Sequence, residues 1–164
     1  MTISLRKCDY SDCEKIRQMQ KSAFAALLEK YRDYDTNPAC ESVERIHEKM
    51  NQPQTTWYFI ISGSDVVGCV RLFEIDDRTM RISPIFILPE YQNRGYAQEA
   101  MNLLEKENPQ ADKWELDTIL QEEKLCRLYE KLGYRKTGES YGIKDGMTIV
   151  FYYKRTGFNS NVSV

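Results

Sequence analysis

The chain has 164 residues, a length that suits one domain with a substantial buried core. Its 23 Lys and Arg nearly balance 25 Asp and Glu, and the net charge of -2 excludes a polyanion such as nucleic acid as the main partner. Eleven tyrosines argue against disorder.

The N-terminal stretch MTISLRKCDY lacks the apolar core of a secretory leader. No apolar run approaches the length of a membrane span, so no membrane partner is expected. Cys8, Cys13, Cys40, Cys69 and Cys126 are odd in number, and no two are spaced C-x-x-C. Neither a disulfide framework nor a zinc site is indicated, and no metal is expected. Reduced thiols in the cytoplasm are the expectation. Asn161-Val162-Ser163 matches a glycosylation acceptor, which carries no meaning without secretion.

In chain order, 2–7 alternates apolar and polar residues as a strand does. Ser11 or Asp12 is placed to cap a helix. Ile16, Met19, Ala23, Leu27 and Tyr31 recur at helical spacing, and 32–38 breaks the pattern with Asp, Thr, Asn and Pro. A second helix carries Val43, Ile46, His47 and Met50 on one face and ends at Pro53. His47, the only histidine, sits on that stripe and is expected to pack. Residues 57–61 and 66–75 form a hairpin through Gly63-Ser64-Asp65, and 80–88 follows as a third strand. A helix begins near Tyr96, with Ala97, Ala100, Met101 and Leu104, and ends at Asn108-Pro109. Then come a strand at 114–120, a helix at 122–132 closed by Gly133, and strands at 134–141 and 147–154 joined through Lys144-Asp145-Gly146.

The order β-α-α-β-β-β-α-β-α-β-β predicts an α/β domain over 1–155, with a mixed sheet of about seven strands flanked by helices. A polar tail over 156–164 is expected to fray. Pro84 cannot donate to a ladder, so it marks an edge or a bulge in its strand. A bulge would bend the strand from its neighbour and open a gap for a ligand.

The stretch Gln92-Asn93-Arg94-Gly95-Tyr96-Ala97 lies between that strand and a helix. Free first-turn amides and the helix dipole favour an anion, usually phosphate. Gly95 clears the approach and Arg94 adds a cation. A plain connection with a convenient glycine fits the loop equally well. No G-x-G-x-x-G, no G-x-x-x-x-G-K-[ST] and no G-x-S-x-G is present.

These six residues resemble the Q/R-x-x-G-x-G/A signature of the GNAT N-acetyltransferases. Residues 82–89 resemble the strand before that loop, and 128–134 resembles the family's LYEKxGF segment. The predicted element order is also the family's. The resemblance covers nearly the whole chain and implies acetyl-CoA as cosubstrate. Its pyrophosphate would rest on the amides from Gln92 to Ala97. The pantetheine arm would lie beside the bulged strand, on backbone groups of Phe86 and Ile87. Dimers are common in the family, so a homodimer is a further expectation.

Acyl transfer from a thioester to an amine sets two proton problems. The amine, pKa ~10, must lose a proton, and the leaving thiolate, pKa ~8.5, benefits from a donor. Tyr129 matches the family's general acid, although it shares a stripe with Leu125, Leu128 and Leu132. Some members carry a glutamate eleven residues before the signature Gln, and here that position is Arg81. Glu74, Asp117 or a water relay would then serve as base. Glu122 and Leu125 stand where the family often has Asn or Ala. Cys126, near the thioester, is read as structural. Tyr31, Asp33, Tyr34, Asp35 and Glu41 cluster in the first interhelical loop, where carboxylates would favour a cationic, amine-bearing acceptor, a small molecule or a protein; a solvated polar loop fits the cluster equally well. A module that holds acyl-CoA without turnover is the second reading.

Overall fold

The computed structural model describes residues 2–156. The expected frayed tail, Thr156 excepted, and the Asn161-Val162-Ser163 triplet lie outside the described residues.

The strands are β1 (Ser4–Lys7), β2 (Thr55–Ser62), β3 (Asp65–Asp76), β4 (Thr79–Ile87), β5 (Lys113–Ile119), β6 (Arg135–Lys144) and β7 (Met147–Arg155). The helices are α1 (Cys13–Ala23), α2 (Ala25–Tyr31), α3 (Val43–Met50), α4 (Tyr96–Glu107) and α5 (Glu123–Lys131). One sheet runs in the order β1-β2-β3-β4-β5-β7-β6. Its neighbours are antiparallel except for β4 and β5. This is the expected seven-stranded mixed sheet.

The predicted first helix is two. The chain kinks at Phe24 (φ -103°, ψ 5°), whose ring packs edge-on against Phe86 at 5.4 Å. That contact draws the residue out of helical line. Helix α2 then ends at Arg32 in a left-handed conformation (φ 55°). The expected cap is also displaced. Asp9 caps a short 3-10 turn, accepting from the Ser11 amide, and Asp12 precedes α1 without capping it.

The two faces of the sheet bury different cores. In β5 the alternate residues Trp114, Leu116 and Thr118 are buried while those between them are only half-buried. Trp114 and Leu116 join Met101 and Leu104 of α4 and Tyr129 of α5. On the other face Ile16 and Met19 of α1 and Ile46 of α3 cover Trp57, Phe59, Cys69 and Phe86. His47 stacks on Tyr10, centroids 4.0 Å apart, so it packs as the stripe predicted.

Gly68 fixes how closely β3 approaches β4. A Cβ there would stand 2.3 Å from the Phe86 carbonyl oxygen and 2.8 Å from Ile87 Cδ1. The first obstacle is backbone and cannot rotate aside. Gly68→Ala is expected to cost about 1–3 kcal/mol through overpacking. A melting curve should show it as a Tm lower by several degrees, and an unchanged Tm would contradict the close approach.

Candidate active site

Strands β4 and β5 pair only through Thr79↔Lys113, Met80↔Trp114 and Arg81↔Glu115. Beyond Arg81 they part. At the same level the register with β3 slips: Val70 faces Ile85 and Leu72 faces Ile82, so Ser83 and Pro84 together oppose Arg71. Pro84 thus sits at a bulge, and in a central strand. The bulge bends β4, and the gap opens beside it.

Which backbone groups face the gap follows from ladder alternation. The Leu88 amide donates to the Val67 carbonyl at 2.8 Å, and the pairing Phe86↔Cys69 lies two residues along. Phe86 therefore turns its own N–H and C=O toward β3, while Ile85 and Ile87 turn theirs toward the gap. Of the expected pair Phe86 and Ile87, the gap-facing backbone is that of Ile87. Its carbonyl accepts from Gln92 Nε2 at 2.9 Å, which holds the start of the loop against the strand.

The loop itself bends through Asn93 (φ 65°) and Gly95 (φ 81°), both left-handed. No side chain caps α4, so the amides of Tyr96 and Ala97 stand at an open helix tip. A Cβ at Gly95 would meet no atom within 4 Å. The glycine is required by the backbone turn, and the space beside it stays clear. Arg94 folds back, its Nη2 donating to the Glu90 carbonyl at 3.3 Å and its guanidinium lying 5.7 Å from the Tyr91 ring centroid. Lys124, in the first turn of α5, donates from Nζ to Asn93 Oδ1. Two helix tips and a lysine therefore converge here.

Tyr129 is buried on α5, its ring 6.3 Å from those of Tyr134 and Tyr152. Burial, then the charge of Asp117, then Cys126, pushes its hydroxyl up to about 12. Asp117 stands on β5, two residues past the last β4–β5 pair. It is ion-paired with Arg81. Burial lifts its carboxyl above the ordinary range, and Arg81 offsets part of the rise. Glu74 is exposed and pairs with Met80 at the opposite end of β4 from Ile87. About seven residues of strand, roughly 23 Å, separate Glu74 from that end of the gap. Asp117 lies at the parting of β4 and β5, and Glu74 lies on the paired side of it. Cys126 is buried, its thiol 3.7 Å from the Leu120 carbonyl.

The expected acceptor loop resolves into separate parts. Asp33 is buried and bonds to the Thr36 amide at 3.2 Å and to its hydroxyl. Glu41 holds Lys49 and Gln20. Tyr34 and Asp35 face solvent. Tyr31 turns inward and donates to Glu122, which also takes Lys30 Nζ at 2.7 Å. Burial works against the Glu122 charge, but these two donors outweigh it and hold its carboxyl below the usual range. Helix α2 is thereby latched to the start of α5.

Sequence reasoning missed Lys124 and the Glu122 latch. A signal for Lys124 existed: a cation in the first turn of a helix runs against the macrodipole and calls for a reason. Glu122 was visible only as a departure from the usual residue, because its partners are far away in sequence. Among the described residues no cluster of three or more His, Cys, Asp or Glu could hold a metal ion. No described helix is long and apolar enough to cross a membrane.

The model of the acetyltransferase (GNAT) family matches residues 15–134. No curated protein matches the sequence. Among solved structures, the spermidine N-acetyltransferase from Vibrio cholerae, in complex with CoA and spermine, superposes with a TM-score of 0.73 at 19% identity, covering 94% of this chain and 95% of that one. An acetyltransferase from Thermus thermophilus superposes with a TM-score of 0.74 at 12% identity, covering 95% and 98%. At such identities these likenesses speak for the fold.

Proposed function

The chain belongs to the GNAT acetyltransferase family, and from that premise we propose that it transfers an acetyl group from acetyl-CoA to a primary amine by direct attack in a ternary complex. The observation that carries the reading is the parting of β4 from β5. It leaves the gap-facing backbone of Ile87 and the side chain of Asp117 beside the gap, next to the loop that ends in the open tip of α4, and Tyr129 would reach it from α5.

The residues present fit acetyl-CoA. The loop Gln92, Asn93, Arg94, Gly95, Tyr96 and Ala97 would take the pyrophosphate, with Lys124 beside it. Ile87, joined by Ile85, would take the pantetheine amides, and Phe86 supports that strand through its ring. The bound cosubstrate supplies the activated acyl carbon and the departing sulfur. Asp117 accepts a proton from the acceptor's ammonium, its lifted pKa making it a better base than an exposed carboxylate. Tyr129 directs its O–H at the sulfur as negative charge develops there. The reading places the enzyme in the cytoplasm, where its cysteines remain thiols.

Free CoA released on incubation with acetyl-CoA and a panel of amines tests the proposal. Amine-dependent release is expected. Tight CoA binding with no release across a broad panel would favour the module that holds acyl-CoA without turnover. Gly95→Glu is expected to weaken CoA binding about tenfold or more, since it puts a carboxylate at the open helix tip and strains a left-handed position. Gly95→Asn tolerates that backbone and should retain more of the affinity. Equal affinity for Gly95→Glu and the parent in a titration would contradict the placement.

A further inference from the structure

One cation on the α1–α3 side of the sheet has no carboxylate beside it. Three acids near the cleft already have partners: Asp117 holds Arg81, Glu122 holds Lys30 and Tyr31, and Glu41 holds Lys49. Arg71 has none. It stands on β3 opposite the Ser83–Pro84 bulge, and among the described residues no carboxylate lies within 4.0 Å of it. Its two hydrogen bonds, to the Ser83 carbonyl and to Gln52 Oε1, are both 3.3 Å long, and its Nε is buried without a partner. The indole N–H of Trp57, its cross-strand neighbour, is also buried and unpaired. The guanidinium lies 6.0 Å from the Trp57 ring centroid and 5.6 Å from that of Phe73.

A half-buried cation without a carboxylate is costly, and two adjacent orphan donors need an explanation. Burial works against the Arg71 charge, Glu41 supports it from a distance, and Arg45 and Arg81 oppose it, so its pKa is lowered. Glu41, the carboxylate that supports it, is itself paired with Lys49. A guanidinium fork between aromatic faces suits a carboxylate, which it can bind bidentately.

We propose that Arg71 holds a carboxylate of the acceptor, so that the substrate is an amino carboxylate and not a polyamine. This rests on the transferase reading. Asp117 and Arg71 flank Arg81, one for the amine and one for the acid. A polyamine would meet an uncompensated cation on the same face, where its own charges are repelled.

The test compares α-, β- and γ-amino carboxylates with their carboxamides and with spermidine, by CoA release and by thermal shift of the CoA-loaded protein. The carboxylates are expected to exceed the matched amides in kcat/KM by about 30-fold or more. Arg71→Met, similar in length and uncharged, should raise KM for the carboxylate by a like factor with kcat little changed, and should not lower Tm, because it removes an unpaired buried charge. Arg71→Lys should lose part of the affinity, keeping the charge without the fork. Spermidine or the amides matching the carboxylates would overturn the proposal. So would a Tm of Arg71→Met lower by more than about 5 °C, which would mark a structural residue. Arg71-dependent stabilisation by amino carboxylates without CoA release would uphold the carboxylate site and sink the transferase reading instead.

Discussion

Tyr129→Phe is expected to lower kcat by about a hundredfold or more, the usual contribution of a positioned proton donor. Its affinity for acetyl-CoA and its Tm should stay near those of the parent. The prediction separates chemistry from packing because the hydroxyl is not used in the fold. The burial and charge that raise its pKa include no hydrogen bond, and the ring contacts with Tyr134 and Tyr152 survive in phenylalanine. A hydroxyl pushed up to about 12 keeps its proton throughout the physiological range. Against a thiolate of pKa ~8.5, full transfer from it is uphill, so in the proposed mechanism Tyr129 would act as a hydrogen-bond donor to the developing charge. The sulfur would then take its final proton from water or from the protonated Asp117. It follows that Tyr129 produces no alkaline fall in kcat below about pH 11. A kcat within about twofold of the parent, measured by CoA release under saturation, would remove Tyr129 from the mechanism.

Alkaline solution should unfold the protein steeply between about pH 10 and 12. Burial pushes Tyr129 up to about 12, and it raises Tyr134 and Tyr152 as well, with Glu105 adding at Tyr134 and Cys126 at Tyr152. In the unfolded chain these tyrosines ionise near ~10. Above that pH the unfolded state has released protons that the folded state keeps, so it binds fewer and stability falls as pH rises. Three such groups together give a slope of about 4 kcal/mol per pH unit. Between about pH 10 and 12 this removes about 8 kcal/mol, comparable with a typical stability of about 5–15 kcal/mol, so the domain should lose most or all of its stability by about pH 12. Circular dichroism melts from pH 8 upward would follow the loss, and tyrosinate absorbance should rise together with unfolding. A Tm that stays level to about pH 11.5 would show these hydroxyls to be free to ionise in place.

The elements with strong local signals were legible in the sequence. The spacing of Ala97, Ala100, Met101 and Leu104 set α4, and the turn at Gly63-Ser64-Asp65 set the hairpin of β2 and β3. Gly95 at the start of a helix located the loop, and Pro84 marked the bulge. Phe24 was not legible as a break, because nothing beside it in sequence announces its contact with Phe86, 62 residues on in the numbering. Glu74 and Asp117 read alike as strand carboxylates. Only the pairing of Arg81 with Glu115 shows that Asp117 lies at the parting of the strands and Glu74 does not.

Sequence alone thus determined the order of the strands and most helices, the family resemblance and the two segments that carry it, because turns and periodicity act within a few residues. Tertiary structure decided the electrostatics. Lys30 and Tyr31 reach Glu122, Arg81 reaches Asp117, and Arg71 is left over. Which charges cancel depends on which strands and helices become neighbours in space.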